Sequence, residues 1–233
     1  MNFAHYIVPL LVIVSGAVLI AVIFSIRQRT ALKRLASLEA WADEAGLFIS
    51  PLRDDMLLNQ FSDLQCFDQG SDQFADNVIS GAWQGYSVQA FDFHYTKEYG
   101  RSEVERVFSA LVVGAPSRLK PLFIRPAEFK DHLAQAFGAQ DIHFESAEFN
   151  RIFVVQAPDR KWAFDVLHPR AMALLLRTPS FAIEFSERSV LVAGRRRFQA
   201  GEYAQALALV VGLLELLPKY AMQQEVAAGE NEK

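Results

Sequence analysis

A chain of 233 residues, 52% of them hydrophobic and 21% charged, has material for one ordinary domain with appendages or for two very small ones. Its 27 acidic and 23 basic residues give a net charge of −4, and four of the cations, Arg27, Arg29, Lys33 and Arg34, sit close together near the N-terminus. The other 19 basic residues face all 27 acids, a balance that excludes nucleic acid as a partner, since phosphate neutralisation dominates that class of binding.

In chain order, "MNFAHY" (residues 1–6) is a short lead with no Lys or Arg. Ile7–Ile26, "IVPLLVIVSGAVLIAVIFSI", carries no charge at all. Twenty helical residues at about 1.5 Å each span roughly 30 Å, the thickness of a bilayer's hydrocarbon core. Pro9 falls in the first turn of that run, where it removes no helical hydrogen bond. A cleaved signal would need a basic leader, a shorter apolar stretch and a small-residue cleavage site, and none is present. The pattern predicts a retained transmembrane helix at 7–26. The four cations follow it and no acid precedes Glu39, so the positive-inside rule places residues 1–6 outside and the remainder in the cytoplasm, at the inner membrane. Those cations also favour anionic headgroups.

Residues 27–46 read as a juxtamembrane helical linker. Leu32, Leu35, Leu38 and Trp41 recur at intervals of three, and Gly46 offers a C-terminal cap. Residues 47–220 then read as a single α+β domain. A short helix fits near 54–60 amid polar loops. From Val78, "VISGAWQGYSVQAFDFHYT" and "EVERVFSALVVG" are rich in β-branched and aromatic residues and predict a three-stranded antiparallel meander, turning at Gln84-Gly85 and in "KEYGRS". In the second strand the apolar phase changes: Tyr86 and Val88 share one face, Phe91, Phe93 and Tyr95 the other. That slip predicts a bulge or bend near Gln89-Ala90.

"PLFIRP" predicts a strand, "AEFKDHLAQAFG" (127–138) a helix, and "DIHFES" and "FNRIFVVQ" two more strands. "WAFDVLHPRAMALLLRT" is helical, with Pro169 kinking it or opening a second helix. "FAIEFSERSVLVAG" is a hairpin turning at Glu187-Arg188. The closing helix, "GEYAQALALVVGLLELL", has only 12 uncharged residues in a row, from Tyr203 to Leu214, which suits a core helix rather than a second span. The small, polar tail 221–233 reads as disordered. The whole predicts a mostly antiparallel sheet with helices gathered on one face.

"FDFHYT", "PLFIRPAEF", "FGAQDIHFESAEFNRIFVV", "VLHPRAMALLL" and "LLELLPKY" together resemble an uncharacterised family of prokaryotic membrane-anchored proteins. The resemblance covers about 80–220. It implies a membrane helix followed by a domain of this layout, and it carries no activity to any residue.

The stretch "FDFHYTKEYGR" holds the residues most like chemistry. Asp92 and His94 lie on one face of a strand, about 7 Å apart, and with Glu98 they could serve a hydrolase as general acid and base. The simpler reading puts Phe91, Phe93 and Tyr95 in the core and leaves Asp92, His94 and Thr96 on a hydrated face. Cys66 is the single cysteine, so no intramolecular disulfide forms, which suits a reducing compartment. Acids around it disfavour the thiolate. His132, His143 and His168 stand in separate elements without metal-ligand spacing, and no phosphate-binding loop, dinucleotide fingerprint or nucleophile elbow appears, so neither a metal nor a cofactor is implied. Arg195, Arg196 and Arg197 are the densest basic cluster of the domain, and could meet lipid phosphates if they faced the bilayer. The reading best supported is a membrane-tethered cytoplasmic interaction or scaffold domain with a protein partner. A hydrolase built on Asp92, His94 and Glu98, or a sensor of anionic headgroups, are the alternatives.

Overall fold

The computed structural model describes residues 4–100, 102–128 and 141–218, with side chains from Ser15 onward. The chain opens as one 42-residue helix, α1 (Ala4–Ala45). It starts three residues ahead of the apolar run, so Pro9 lies in its second turn rather than its first. Among the described residues it is the one helix long and apolar enough to cross a membrane. Val18, Leu19, Ile20 and Phe24 stand exposed. No break separates the apolar stretch from the predicted linker. The helix stops after Ala45 because Gly46 takes φ +69, open to glycine without strain. The Leu47 N–H then donates to the Ala42 carbonyl (2.7 Å) and the Gly46 N–H to the Asp43 carbonyl (3.1 Å), the paired bonds of a Schellman cap. Leu47 is thereby delivered into the core.

Among the described residues the nine strands are β1 (Phe48–Ser50), β2 (Ser71–Trp83), β3 (Tyr86–Tyr99), β4 (Ser102–Gly114), β5 (Leu122–Pro126), β6 (Asp141–Ile142), β7 (Phe153–Gln156), β8 (Ala182–Phe185) and β9 (Ser189–Ala193). They form one sheet in the order β1-β2-β3-β4-β9-β8-β5-β7-β6, with antiparallel neighbours throughout. The helices are α2 (Ala147–Ile152), α3 (Arg160–Val166), α4 (Pro169–Arg177) and α5 (Ala200–Glu215). Buried residues of the five helices among the described residues belong to a single apolar cluster on one face of the sheet, so the α+β class stands as read. The opposite face carries a second, smaller core, roofed by two short 3-10 helices, Leu57–Phe61 and Gln65–Phe67.

That second core explains the phase change in β3. Val88 and Ala90 face the helices, whereas Phe91 and Phe93 pack beneath Phe67 and against Phe108. No slip in β3 is needed. Its pairing with β4 runs unbroken from Val88–Val113 to Tyr99–Ser102. The irregularities fall on β2 instead, between Ser71 and Phe74 and between Asp76 and Ile79, where Asp72 and Asn77 take φ 50. Every residue from Ala90 to His94 is buried, so the face bearing Asp92 and His94 is not the hydrated one expected. α1 and α5 cover it.

Other elements shift for local reasons. β2 begins at Ser71, seven residues before the β-branched signal, because polar residues there bridge the sheet to the 3-10 roof. The expected strand over 149–156 is half helix. Ser146 accepts from the Phe149 N–H and caps α2, and only Phe153–Gln156 is extended. "DIHFES" contributes Asp141–Ile142 alone. Pro169 opens α4 as a separate helix, the turns at Gln84-Gly85 and Glu187-Arg188 fall as read, and the short helix near 54–60 is the 3-10 turn Leu57–Phe61. Most of the helix expected at 127–138, together with His132 and the 221–233 tail, lies outside the described residues.

Candidate functional site

The most concentrated polar chemistry lies where α1 crosses the sheet. Alternation along β3 points Asp92 and His94 toward the helices, opposite to Phe91 and Phe93. Asp92 is wholly buried and meets the guanidinium of Arg34 in a two-pronged pair: Nη1 donates to Oδ2 at 2.7 Å and Nη2 to Oδ1 at 2.9 Å. The third arm, Nε, donates to the Phe198 carbonyl at 2.7 Å. The planar fork is therefore fully used, as lysine could not manage. Ser109, directly across the sheet from Asp92, donates its hydroxyl to the same carboxylate and accepts the Phe198 N–H at 2.8 Å. The Asn77 amide donates to Asp92 Oδ2 (3.2 Å) from the β2 bulge; asparagine tolerates that left-handed backbone better than most residues.

Tyr203 of α5 completes the enclosure. Its hydroxyl donates to the Phe91 carbonyl at 3.1 Å and lies 3.4 Å from Asp92, while its ring stacks on Trp41 of α1 at 5.6 Å. Burial, reinforced by the Asp92 charge, pushes its phenol pKa well above the ordinary value.

His94 occupies the adjoining position. Nδ1 lies 2.6 Å from Glu105 and Nε2 3.2 Å from Asp76, and the ring stacks on Phe74 at 4.3 Å. Burial pulls its pKa down, but the hydrogen bonds to Asp76 and Glu105 outweigh burial and raise it above the usual histidine value. A carboxylate beside each nitrogen favours the protonated ring, while the nearby Arg197 guanidinium, itself only a donor, opposes it. Arg197 spans the two sites, with Nε 3.5 Å from Asp92 and Nη2 3.3 Å from His94 Nε2.

The sequence candidates thus separate. Asp92 and His94 share a buried network but do not touch. Glu98 is exposed near the hairpin end, across from Glu103, and joins neither. Of the four cations after the apolar run, Arg27, Arg29 and Lys33 are exposed, whereas Arg34 turns inward to Asp92 and is not available to headgroups. In the 195–197 cluster, Arg195 is exposed, Arg196 is held by Glu202 (2.8 and 3.0 Å), and Arg197 points to Asp92. His168 caps α4 and contacts the Leu216 carbonyl (3.1 Å), and His143 is exposed. Among the described residues no group of three or more His, Cys, Asp or Glu side chains is placed to hold a metal.

Cys66 is buried at 1% exposure; burial, then the nearby Glu184 carboxylate, drives its thiol pKa well up. Glu184 itself accepts the Gln65 and Cys66 N–H groups at 2.7 and 2.9 Å under the 3-10 roof. Desolvation overrides those two bonds and lifts its pKa to about 7. Two open grooves, of about 510 and 540 Å³, flank the Leu57–Phe61 turn on this same face. Neither is lined by Asp92 or His94.

Arg34, Ser109, Asn77 and Tyr203 are the residues that sequence reading passed over as partners of Asp92. The available signal was a lone cation in register with the apolar stripe Leu35, Leu38 and Trp41.

No protein-family model matches the chain, and neither does any curated protein. In fold it is similar to the crystal structure of the mycobacterial trehalose monomycolate transport factor A, TtfA, with a TM-score of 0.60 at 15% identity, over 79% of this chain and 96% of that one.

Proposed function

We propose that the chain is a single-pass membrane protein whose α+β domain sits on the cytoplasmic side as a non-catalytic interaction or scaffold module, serving a transport process at the membrane. The observation that carries this reading is the continuity of α1. The helix that is apolar enough to span runs without a joint into a buried Arg34–Asp92 pair. A flexible tether would suffice to concentrate an enzyme near lipid. A continuous helix locked to the sheet fixes the domain's height and rotation, which is what docking onto another membrane component requires.

Orientation follows from Arg27, Arg29 and Lys33, with anionic headgroups as their partners. The fold likeness to a protein described as a transport factor supports a role beside a membrane transport machine rather than a reaction of its own. Asp92 is engaged by the Arg34 fork and His94 lies between two carboxylates, an arrangement that favours a structural role for both.

The test has two arms. A reporter enzyme active only in the cytoplasm is fused after Lys233 or before Met1; activity is expected from the C-terminal fusion alone. In a deletion strain, His94→Gln is expected to complement, and so is a chain whose 4–26 segment is exchanged for an unrelated spanning helix in register. A folded but non-complementing His94→Gln would favour the hydrolase. Activity of both fusions would overturn the topology.

A further inference from the structure

We infer that the β3–β4 hairpin tip is a second membrane contact, with Tyr99 at the headgroup layer of the same leaflet from which α1 emerges. This rests on the membrane-spanning reading of α1 and goes beyond it, since the hairpin lies about 70 residues further along the chain.

Two contacts fix the direction of β3 relative to α1. Arg34 pairs with Asp92, while Leu47, just past the helix end, packs over Gly81, which pairs with Val88. As α1 leaves the membrane, residues 34 to 47 therefore pass strand residues 92 to 88. β3 runs the opposite way, back toward the bilayer. Arg34 is eight residues past Ile26, about 12 Å along a helix. Tyr99 is seven residues past Asp92, about 23 Å along a strand. For any inclination of strand to helix up to about 60°, the tip reaches the level of Ile26.

The chemistry of the tip suits that position. Beyond Thr96, β3 has no β2 partner, and below Ala110, β4 has no β9 partner, so the hairpin end projects from the sheet. On one face the aromatic row Phe93, Tyr95 and Phe108 continues outward to Val104 and Tyr99, which are 37% and 48% exposed. Lys97 and Arg106 flank the Tyr99 ring at 5.9 and 5.8 Å. An amphipathic ring between two cations on long apolar stems is the arrangement favoured at a membrane–water interface, with the ring among glycerol groups and the cations on phosphates. Glu98, Glu103 and Glu105 fall on the other face by alternation, the one turned toward α1. The ligand is accordingly the phosphate-bearing headgroup common to ordinary phospholipids.

The test uses the full chain in phosphatidylcholine nanodiscs. Cys66 is buried and its thiol unreactive, so a single introduced cysteine takes an environment-sensitive fluorophore. Three sites are compared: Tyr99→Cys, Val22→Cys in the apolar stretch, and Met56→Cys, an exposed position outside the hairpin. Lipids brominated high on their chains should quench the label at 99 severalfold and blue-shift it. The label at 56 should match the fluorophore in water, and the label at 22 should respond to deep bromines. A label at 99 that behaves like the one at 56, with 22 quenched, overturns the hairpin contact and leaves the anchor standing. A label at 22 that is not quenched removes the anchor, and this inference with it.

Discussion

The pair Arg34–Asp92 is where α1 and the sheet become one body, so cutting it should be felt as a coupling energy and not as two separate losses. Asp92 is fully buried and Arg34 is 11% exposed, so neither charge is returned to water when its partner is removed. Asp92→Ala strands a guanidinium whose remaining acceptors are the Phe198 carbonyl and the more distant Ser109 hydroxyl. Arg34→Met strands a carboxylate supported by Ser109, Asn77 and the more distant Arg197. Each single change should destabilise by about 3–5 kcal/mol, the range for an uncompensated buried charge. The double variant leaves neither charge of the pair without its partner, and should lose about what one single variant loses, a coupling of about 3–5 kcal/mol. Arg34→Lys keeps the charge but cannot reach the Phe198 carbonyl and both carboxylate oxygens together, so about 1–2 kcal/mol is expected. Denaturant unfolding of the full chain in detergent, followed by tryptophan emission and far-UV circular dichroism, measures all four. If the two single losses add to within about 0.5 kcal/mol, the pair is not the joint described here.

Three further outcomes are expected. Phe93→Ala empties a site closed by Phe67, Tyr95 and Phe108 and should cost about 3–5 kcal/mol in the same melts. His94 has a folded pKa above its unfolded value, so its contribution is complete below about pH 6.5 and is lost as pH rises through the folded pKa; His94→Gln should flatten that part of the stability–pH curve. Glu184, at about 7 folded against 4.5 unfolded, also binds its proton more tightly in the native state. Stability should therefore fall by about 3 kcal/mol as pH rises from 4.5 to past 7, with the slope absent in Glu184→Gln.

The element pattern was legible wherever one physical signal ruled alone. The apolar run of α1, the turn at Gln84-Gly85, the hairpin at Glu187-Arg188 and the restart of helix at Pro169 each depend on a local rule, and each fell where that rule put it. Failures came where two surfaces compete for one strand. Tyr86 and Val88 followed by Phe91 and Phe93 look like a slipped register if a sheet has one wet face. With apolar cores on both sides, the same letters describe a straight strand. In "FNRIFVVQ" a capping serine three residues ahead of Phe149 decided for helix against the β-branched composition.

The site was illegible for a different reason. Positions 27, 29, 33 and 34 hold four cations with the same local context, and a charge rule treats them alike. What separates Arg34 is helical phase: it precedes Leu35, Leu38 and Trp41 on the side of α1 that the sheet covers, whereas Lys33 points away. Phase alone predicts that Arg34 is covered and says nothing of the partner, which comes from β3, 58 residues later. Asp92 carried a complementary warning, since an acid between Phe91 and Phe93 in a strand buried on both faces must find a cation. Joining the two requires knowing that both faces of β3 are covered, and that knowledge comes only from the aromatic residues of the 57–67 segment that roof the far side. The reading of one arginine as a lipid contact or as a structural joint therefore turned on a stretch of chain that lies on the opposite face of the sheet.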